Sequence, residues 1–315
     1  MSFPEHRTGA PPPLVSVVMP ARNRAASIAR AIDSVLAQTY RNFELIVIDD
    51  GSTDSTREIA ASYGSRLKLI HNPGRGVYAA RNAAVAEAKG ELIAFADSDD
   101  AWLPDRLAAQ IPLLARPEVG LVFADTIHVA EAVKGAKPTG ITSFRASPPR
   151  RGRVADALAW RNFVPTTTVL VRRSCLEEIG GFPTSARLSA DYLAWFRIAL
   201  RHELDFVDSP LCIYTFNPNS ISFDLGRAVA ARIALFSEAL ASESDPRARA
   251  LIRRLLFNLS LHLGLAALRG RAPTTRRPFG LAARTARAAA GFKGLPWGAA
   301  FIGHQLWLRT YRMLH

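Results

Sequence analysis

Apolar positions along this chain alternate between short β-branched runs and stripes at helical spacing. Leu14 to Met19 (Leu-Val-Ser-Val-Val-Met) is stopped by Pro20 and predicts a buried strand. Ala25 to Gln38 follows, with Ile28, Ala31, Ile32, Val35 and Leu36 spaced for a helix that packs back on a sheet. The alternation repeats: strand Phe43–Ile48, then a helix capped by Thr53 or Asp54, strand Leu67–Ile70, helix Val77–Ala88 and strand Glu91–Phe95. Beyond it the pattern predicts a helix over Pro104–Leu114, a strand over Gly120–Phe123, a loop over Lys134–Arg153 and a strand over Thr166–Val171. A short helix over Arg173–Ile179, a helix over Asp191–Leu200, and the segments Asp205–Val207 and Leu211–Tyr214 complete a domain. From about Gly226 the chain is Ala/Leu/Arg-rich, helical and without strand patterns.

Strands alternating with helices predict a parallel sheet with right-handed crossovers. Three of the strands end in polar clusters, Ala21-Arg22-Asn23, Asp49-Asp50 and Asp97-Ser98-Asp99-Asp100. The carboxyl ends of parallel strands line the ligand crevice of open α/β sheets, so three such clusters point to a site at that edge.

Composition changes this picture in one respect. The net charge is +13, yet no Asp or Glu follows Asp245, and 13 Lys or Arg lie in residues 246–315. Residues 1–245 are formally neutral, with 27 basic against 27 acidic side chains. That asymmetry suggests a body that does chemistry and a tail that meets an anionic surface; nucleic-acid enzymes spread positive charge over the catalytic face. Residues 1–13 are polar, carry Pro11-Pro12-Pro13 and read as a flexible segment without a secretory signal. Cys175 and Cys212 make no disulfide framework, and the chain reads as cytoplasmic.

Carboxylates crowded at Asp97, Asp99 and Asp100 repel one another and call for a counter-charge. A hard divalent cation bridging to a diphosphate supplies one, and a solvated acidic turn capped by Asp100 is the other reading. Asp50 can accept a hydrogen bond from a base or ribose hydroxyl, or belong to a turn that caps the next helix. Arg81 can reach a phosphate or the acidic cluster. Asp191, at a helix start beside Tyr192 and Trp195, is either an N-cap or a general base. Gly74 and Gly76 form no dinucleotide fingerprint, and no phosphate loop ending in Gly-Lys-Ser/Thr occurs.

Taken in order, Val15-Ser16-Val17-Val18-Met19-Pro20-Ala21-Arg22-Asn23, Ser34 to Tyr40, Phe43 to Asp54, Ala80-Arg81-Asn82 and Gly90 to Phe95 resemble the family 2 inverting glycosyltransferases. The acidic cluster with Trp102, Pro104 and Gln110, then Gly180-Gly181-Phe182, Asp191-Tyr192 and Tyr214 with Ser220-Ile221-Ser222, extend the resemblance over about residues 14–225. It implies a GT-A-type, Rossmann-like α/β domain with a mainly parallel sheet, and a helical basic region over 226–315. It also implies a nucleotide-diphosphate sugar donor, inversion, and Mn²⁺ or Mg²⁺. On the matching positions, Asp99 and Asp97 would hold the metal and the ribose-diphosphate, and Asp50 the base. Pro20, Ala21 and Asn23 lie at the strand end under the nucleotide, Arg81 on the nucleotide side, and Asp191 is the catalytic base. Three positions depart from the family: Ala190 where Glu usually precedes the base, and Thr215 and Asn217 where Arg and His are usual.

The expected acceptor is a glycan or lipid-linked precursor of a cell-surface polymer. Two other readings are a nucleotidyltransferase, for which no triphosphate loop is found, and a sugar-nucleotide-binding scaffold without turnover. In the tail, neither Leu255–Leu268 nor Leu295–Leu308 is a convincing membrane span. Its aromatics interleaved with arginines suit an amphipathic helix on an anionic membrane, and equally a helical subdomain packed on the body.

Overall fold

The computed structural model describes residues 11–130, 141–186, 188–216 and 225–268. Its first half follows the alternation in the sequence: β1 (Val15–Ala21), α1 (Ile28–Leu36), β2 (Phe43–Asp49), α2 (Thr56–Ala61), β3 (Lys68–His71), α3 (Val77–Glu87) and β4 (Leu92–Phe95). β1 pairs in parallel with both β2 and β4. All seven of its residues are buried, and a strand covered on both faces is apolar without alternation. α1 buries Ile28, Ala31, Ile32 and Val35, the stripe expected from the sequence.

The second half keeps the expected helices at Arg173–Ile179 and Asp191–Leu200 but departs from the pattern in its strands and in the first helix. β5 (Ala101–Trp102) precedes α4 (Arg106–Gln110), and the expected helix over Pro104–Leu114 changes to a 3₁₀ turn at Ile111–Ala115, where Pro112 has no N–H to continue it. β6 (Val119–Ala130) outruns its apolar core at Gly120–Phe123. Within the expected loop, residues 131–140 lie outside the described part, and α5 (Ser143–Ala146) is capped by Thr142, whose hydroxyl accepts the Arg145 N–H at 3.2 Å. After α6 (Ala155–Leu158), the expected strand over Thr166–Val171 begins as a 3₁₀ turn at Thr166–Thr168 and becomes β7 only at Leu170–Arg172. Threonine hydroxyls compete with sheet pairing there: Thr168 donates to the Pro165 carbonyl at 2.8 Å and accepts the Ala124 N–H at 3.1 Å. α7 (Arg173–Glu178) and α8 (Ala190–Arg201) lead into β8 (Glu203–Phe216), which joins the two expected segments in one strand.

The eight strands form one sheet in the order β3-β2-β1-β4-β7-β6-β8-β5. The β3-β2-β1-β4 block and the β6–β8 pair are parallel; β7 is antiparallel to both neighbours, and β5 to β8. Between Ala124 and Thr126 of β6, its partner advances from Val207 to Cys212, a pronounced bulge around Pro210, whose ring removes a ladder donor.

Two apolar layers cover the sheet, one around α1 and α4, the other around α3, α6 and α8. α9 (Leu225–Ser242) and α10 (Pro246–Leu268) join the second layer. Phe236 packs edge-on against Tyr192 and Phe196, and Ile252, Leu255 and Leu256 enter the same cluster, so the core does not divide at residue 225. Among the described residues no helix is long and apolar enough to cross a membrane.

Candidate active site

The parallel strands bring their polar ends to one edge. A cleft of 160 Å³ there is lined by Pro20 and Ala21 from β1, Arg24, Asp50 beyond β2, and Asp97 and Asp99 beyond β4. Five sequence-predicted residues therefore meet in one place.

Asp50 forms the floor. It is 3% exposed, its carboxylate accepts Asn72 Nδ2 at 2.5 Å and the Gly76 N–H at 3.0 Å, and its own N–H donates to the Ala21 carbonyl at 2.8 Å. A Cβ on Gly51 would lie 3.1 Å from the Gly74 nitrogen, and φ is +73° there, so glycine lets two loops close over that floor. Asn23 stands at the rim, not in the cleft lining. It takes a left-handed φ of 51°, which Asn tolerates, and its Oδ1 accepts the Thr53 N–H at 2.9 Å, tying two strand-end loops together.

The acidic cluster divides into three roles. Asp97 Oδ1 accepts Arg81 Nη2 at 2.8 Å. Burial raises Asp97 above the ordinary carboxylate range, against the pull of Arg81, and Asp99 adds to the rise. Asp99 Oδ2 lies 3.2 Å from Arg24 Nη2, while Arg30 from α1 donates to the Asp99 carbonyl at 2.7 Å. Asp100 points inward and does not cap a helix. Its Oδ1 accepts the Thr215 N–H at 2.8 Å, and its Oδ2 is buried without a partner among the described residues. Burial, then Asp97 and Asp99, push it well above the ordinary range.

Arg81 is enclosed behind Asp97. Burial opposes its charge, yet Asp97, Asp191 and Tyr78 together hold it above the ordinary value. Asp191 sits in the first turn of α8, half-buried, and serves as no N-cap. Thr166 Oγ1 donates to its Oδ2 at 2.7 Å and the Tyr192 N–H to its Oδ1 at 2.9 Å. It lies within electrostatic range of Arg81, Asp97 and Tyr214, and is not among the residues that line the cleft.

Hard oxygen donors suit a divalent cation, and the structure offers Asp97 and Asp99 at the cleft, close enough that the Asp99 charge adds to the rise in Asp97. Among the described residues no three His, Cys, Asp or Glu side chains converge to hold a metal unaided, and a bound phosphate or water could supply further oxygen ligands. The residues present fit Mn²⁺ or Mg²⁺ on those terms.

Several participants escape a reading of the sequence. Arg24, in the loop before α1, and Arg30, in its first turn, both lie beside Asp99, and the first of them adjoins the polar cluster ending at Asn23. Thr166 was hidden inside a segment read as a strand. Of the departing positions, Ala190 is fully buried, Thr215 accepts Arg30 Nη2 at 3.1 Å, and Asn217 lies outside the described residues.

With this geometry, the chain matches the family model "Glycosyl transferase family 2" over residues 16–180. An uncharacterized glycosyltransferase of Rickettsia felis is 31% identical over 205 residues, 63% of this chain and 33% of the relative. The UDP-Glc:alpha-D-GlcNAc-diphosphoundecaprenol beta-1,3-glucosyltransferase WfgD of Escherichia coli is 41% identical over 114 residues, 36% of this chain and 45% of the relative. The chain thus spans less than half the length of either. Among solved structures, the mannosyltransferase PcManGT from Pyrobaculum calidifontis in complex with GDP-Man and Mn²⁺ aligns with a TM-score of 0.63 at 25% identity, over 96% of this chain and 83% of that one. S. aureus TarS 1-349 in complex with UDP aligns with a TM-score of 0.58 at 20% identity, over 81% and 73%, a likeness of fold.

Proposed function

Because the chain belongs to glycosyl transferase family 2, we propose that it moves a sugar from a nucleoside-diphosphate donor to an acceptor hydroxyl, with inversion at the anomeric carbon. The observation that supports this reading is the meeting of Asp50, Asp97 and Asp99 at one cleft, with Asp191 of α8 near enough to act on the charge of Asp97.

In this reading the nucleoside end of the donor lies against Pro20, Ala21 and Asp50, and its diphosphate against Asp99 and Arg24. Mn²⁺ or Mg²⁺ held by Asp97 and Asp99 would supply Lewis-acid neutralisation of the departing diphosphate. Arg81 fixes the Asp97 carboxylate from behind, and Arg24 presents a guanidinium to the same phosphates. Asp191 accepts the proton of the acceptor hydroxyl as that oxygen forms its bond to the anomeric carbon and the diphosphate leaves. One displacement inverts the centre, and no covalent enzyme intermediate is formed.

The acceptor class we propose is a glycan on a lipid carrier or a cell-surface polymer precursor, supported by the similarity to WfgD, named for a diphosphoundecaprenol-linked substrate. Contact of the basic tail with an anionic membrane surface belongs to the same proposal, in which residues 14–225 carry the transferase chemistry and the helices after them share its core. Of the arginines in α10, Arg249 donates to the Leu240 and Glu243 carbonyls and Arg254 lies over the Trp160 ring, so Arg247 and Arg253 are the ones left exposed there.

The test is release of nucleoside diphosphate from a panel of UDP- and GDP-sugars with Mn²⁺ or Mg²⁺, comparing wild type with Asp99→Ala and Asp191→Asn. The expected outcome is metal-dependent release that falls at least about 100-fold in Asp191→Asn and is lost in Asp99→Ala. A donor that binds wild type but turns over no faster than with the variants, even with membrane extract as acceptor, would put a non-catalytic sugar-nucleotide-binding role in its place.

A further inference from the structure

The Asp191 carboxylate is gripped by a hydroxyl from a distant part of the chain, and we propose that Thr166 is its positioning residue. The inference rests on the reading of Asp191 as the general base and adds to it the element that aims that base.

Each carboxylate oxygen of Asp191 accepts one hydrogen bond, Oδ2 from Thr166 Oγ1 at 2.7 Å and Oδ1 from the Tyr192 N–H at 2.9 Å. Pinned at both oxygens, the group cannot rotate about its terminal torsion. An ionised carboxylate oxygen has two lone pairs, so each keeps one for a substrate proton. The grip therefore orients the base without consuming it.

The Thr166 hydroxyl is itself immobile. Threonine is stiff about its first side-chain torsion. The turn that carries it is fixed from three directions: Thr168 Oγ1 to the Pro165 carbonyl, the Ala124 N–H to Thr168 Oγ1, and Gln110 Nε2 to the Thr168 carbonyl at 2.7 Å. On the far side, Ser189 takes a left-handed φ of 62° just before α8, and Arg232 of α9 holds its hydroxyl at 3.0 Å. A non-glycine residue in that region is strained by about 1–2 kcal/mol and persists where its surroundings hold it. Ala190, the residue before the base, is fully buried and offers no polar group, so the side-chain donor to the base comes from 25 residues upstream.

The experiment compares wild type, Thr166→Val, Thr166→Ser and Asp191→Asn. It measures kcat and KM for nucleoside-diphosphate release from UDP-glucose, UDP-GlcNAc and GDP-mannose, UDP and GDP binding by calorimetry, and the thermal midpoint. Valine keeps the shape and deletes the donor; serine keeps the donor. The expected result is a kcat about 10- to 100-fold lower in Thr166→Val, from a mis-aimed base, with unchanged donor KM and nucleotide affinity, and recovery of most of the rate in Thr166→Ser. Thr166→Val turning over within about twofold of wild type while Asp191→Asn is dead would overturn the proposal and leave the base assignment standing. So would a serine variant as slow as the valine one, or a valine variant that loses nucleotide binding in step with kcat. If Asp191→Asn turns over like wild type, the base assignment falls and takes the proposal with it. Should the valine variant melt below the assay temperature, Thr166→Ala read against Thr166→Ser makes the same comparison.

Discussion

Two buried arginines stand behind the acidic loop, one in each half of the molecule, and they are accommodated in opposite ways. Arg81, on α3 behind the parallel block, meets the Asp97 carboxylate at 2.8 Å, and its charge is held above the ordinary value despite burial. Arg106, on α4 where the sheet turns antiparallel, is fully buried and bonds only neutral acceptors: the Phe95 and Val169 carbonyls at 3.2 and 3.0 Å and Gln110 Oε1 at 3.1 Å. Its guanidinium also lies 3.5 Å from the centroid of the Trp102 ring, and burial pulls its pKa down to about 10. Arg81 belongs to the electrostatics of the site. Arg106 belongs to its masonry, for it ties the last residue of β4 to the turn before β7 and so holds the two blocks of the sheet in register at the acidic loop.

The comparison is sharpest when each arginine is removed. Arg106→Met strands the Phe95 carbonyl and the Gln110 oxygen in the core, while the Val169 carbonyl keeps the Phe95 N–H, and should cost about 4 kcal/mol in urea unfolding. A loss below about 1 kcal/mol would mean that neighbouring groups take over its bonds. Arg81→Met leaves the partly buried Asp97 carboxylate without its partner and should cost about 3 kcal/mol near pH 8. That loss carries a pH signature. Asp97 is already raised in the folded protein, and without Arg81 it rises further, so the folded state holds its proton more tightly than the unfolded state does. Stability is then fully present below the unfolded carboxylate pKa and falls as pH rises through the higher folded value. The deficit of Arg81→Met should therefore shrink on going from about pH 8 to about pH 5, while that of Arg106→Met should not. The smallest effect separates the packing of the two blocks. A Cβ at Gly90 would lie 2.6 Å from the Leu14 carbonyl oxygen and the Ser16 nitrogen, main-chain atoms that cannot yield. At Gly120 it meets the His202 and Cys175 side chains at 2.7 and 2.9 Å. Gly90→Ala should cost about 2–3 kcal/mol and Gly120→Ala less, read from chemical denaturation midpoints.

The same division explains what could be read from the sequence. In β1, β2 and β4 each strand is a brief apolar run ended by Pro20, Asp49-Asp50 or Asp97, and local pattern coincides with tertiary fate. Asp50, Asp97 and Asp99 were legible because strand ends in a parallel block all point to one edge. In the later half, strand length is set by partners. β8 continues through Pro210 because β6 runs beside it, and the β-branched run at Thr166–Thr168 turns because hydroxyls find main-chain partners. Arg106 carries no sequence signal of its own, because its carbonyl partners Phe95 and Val169 belong to other elements. Thr166 and Asp191 are too far apart in sequence for any periodicity to join them.

The bulge in β8 sets a rule of parity. From Ala124 to His128, β6 advances by an even count, while its partner goes from Val207 to Tyr214, an odd one. Side chains alternate faces along a strand, so the odd excess reverses which residues of β8 share a face with which residues of β6. That reversal keeps Tyr214 on the side of Asp97, Asp99 and Asp100, whose charges it senses. In descendants of this chain, a one-residue insertion or deletion between Val207 and Cys212 would turn the end of β8 inside out. A two-residue change would leave it facing the same way, so length variation at this point should come in pairs.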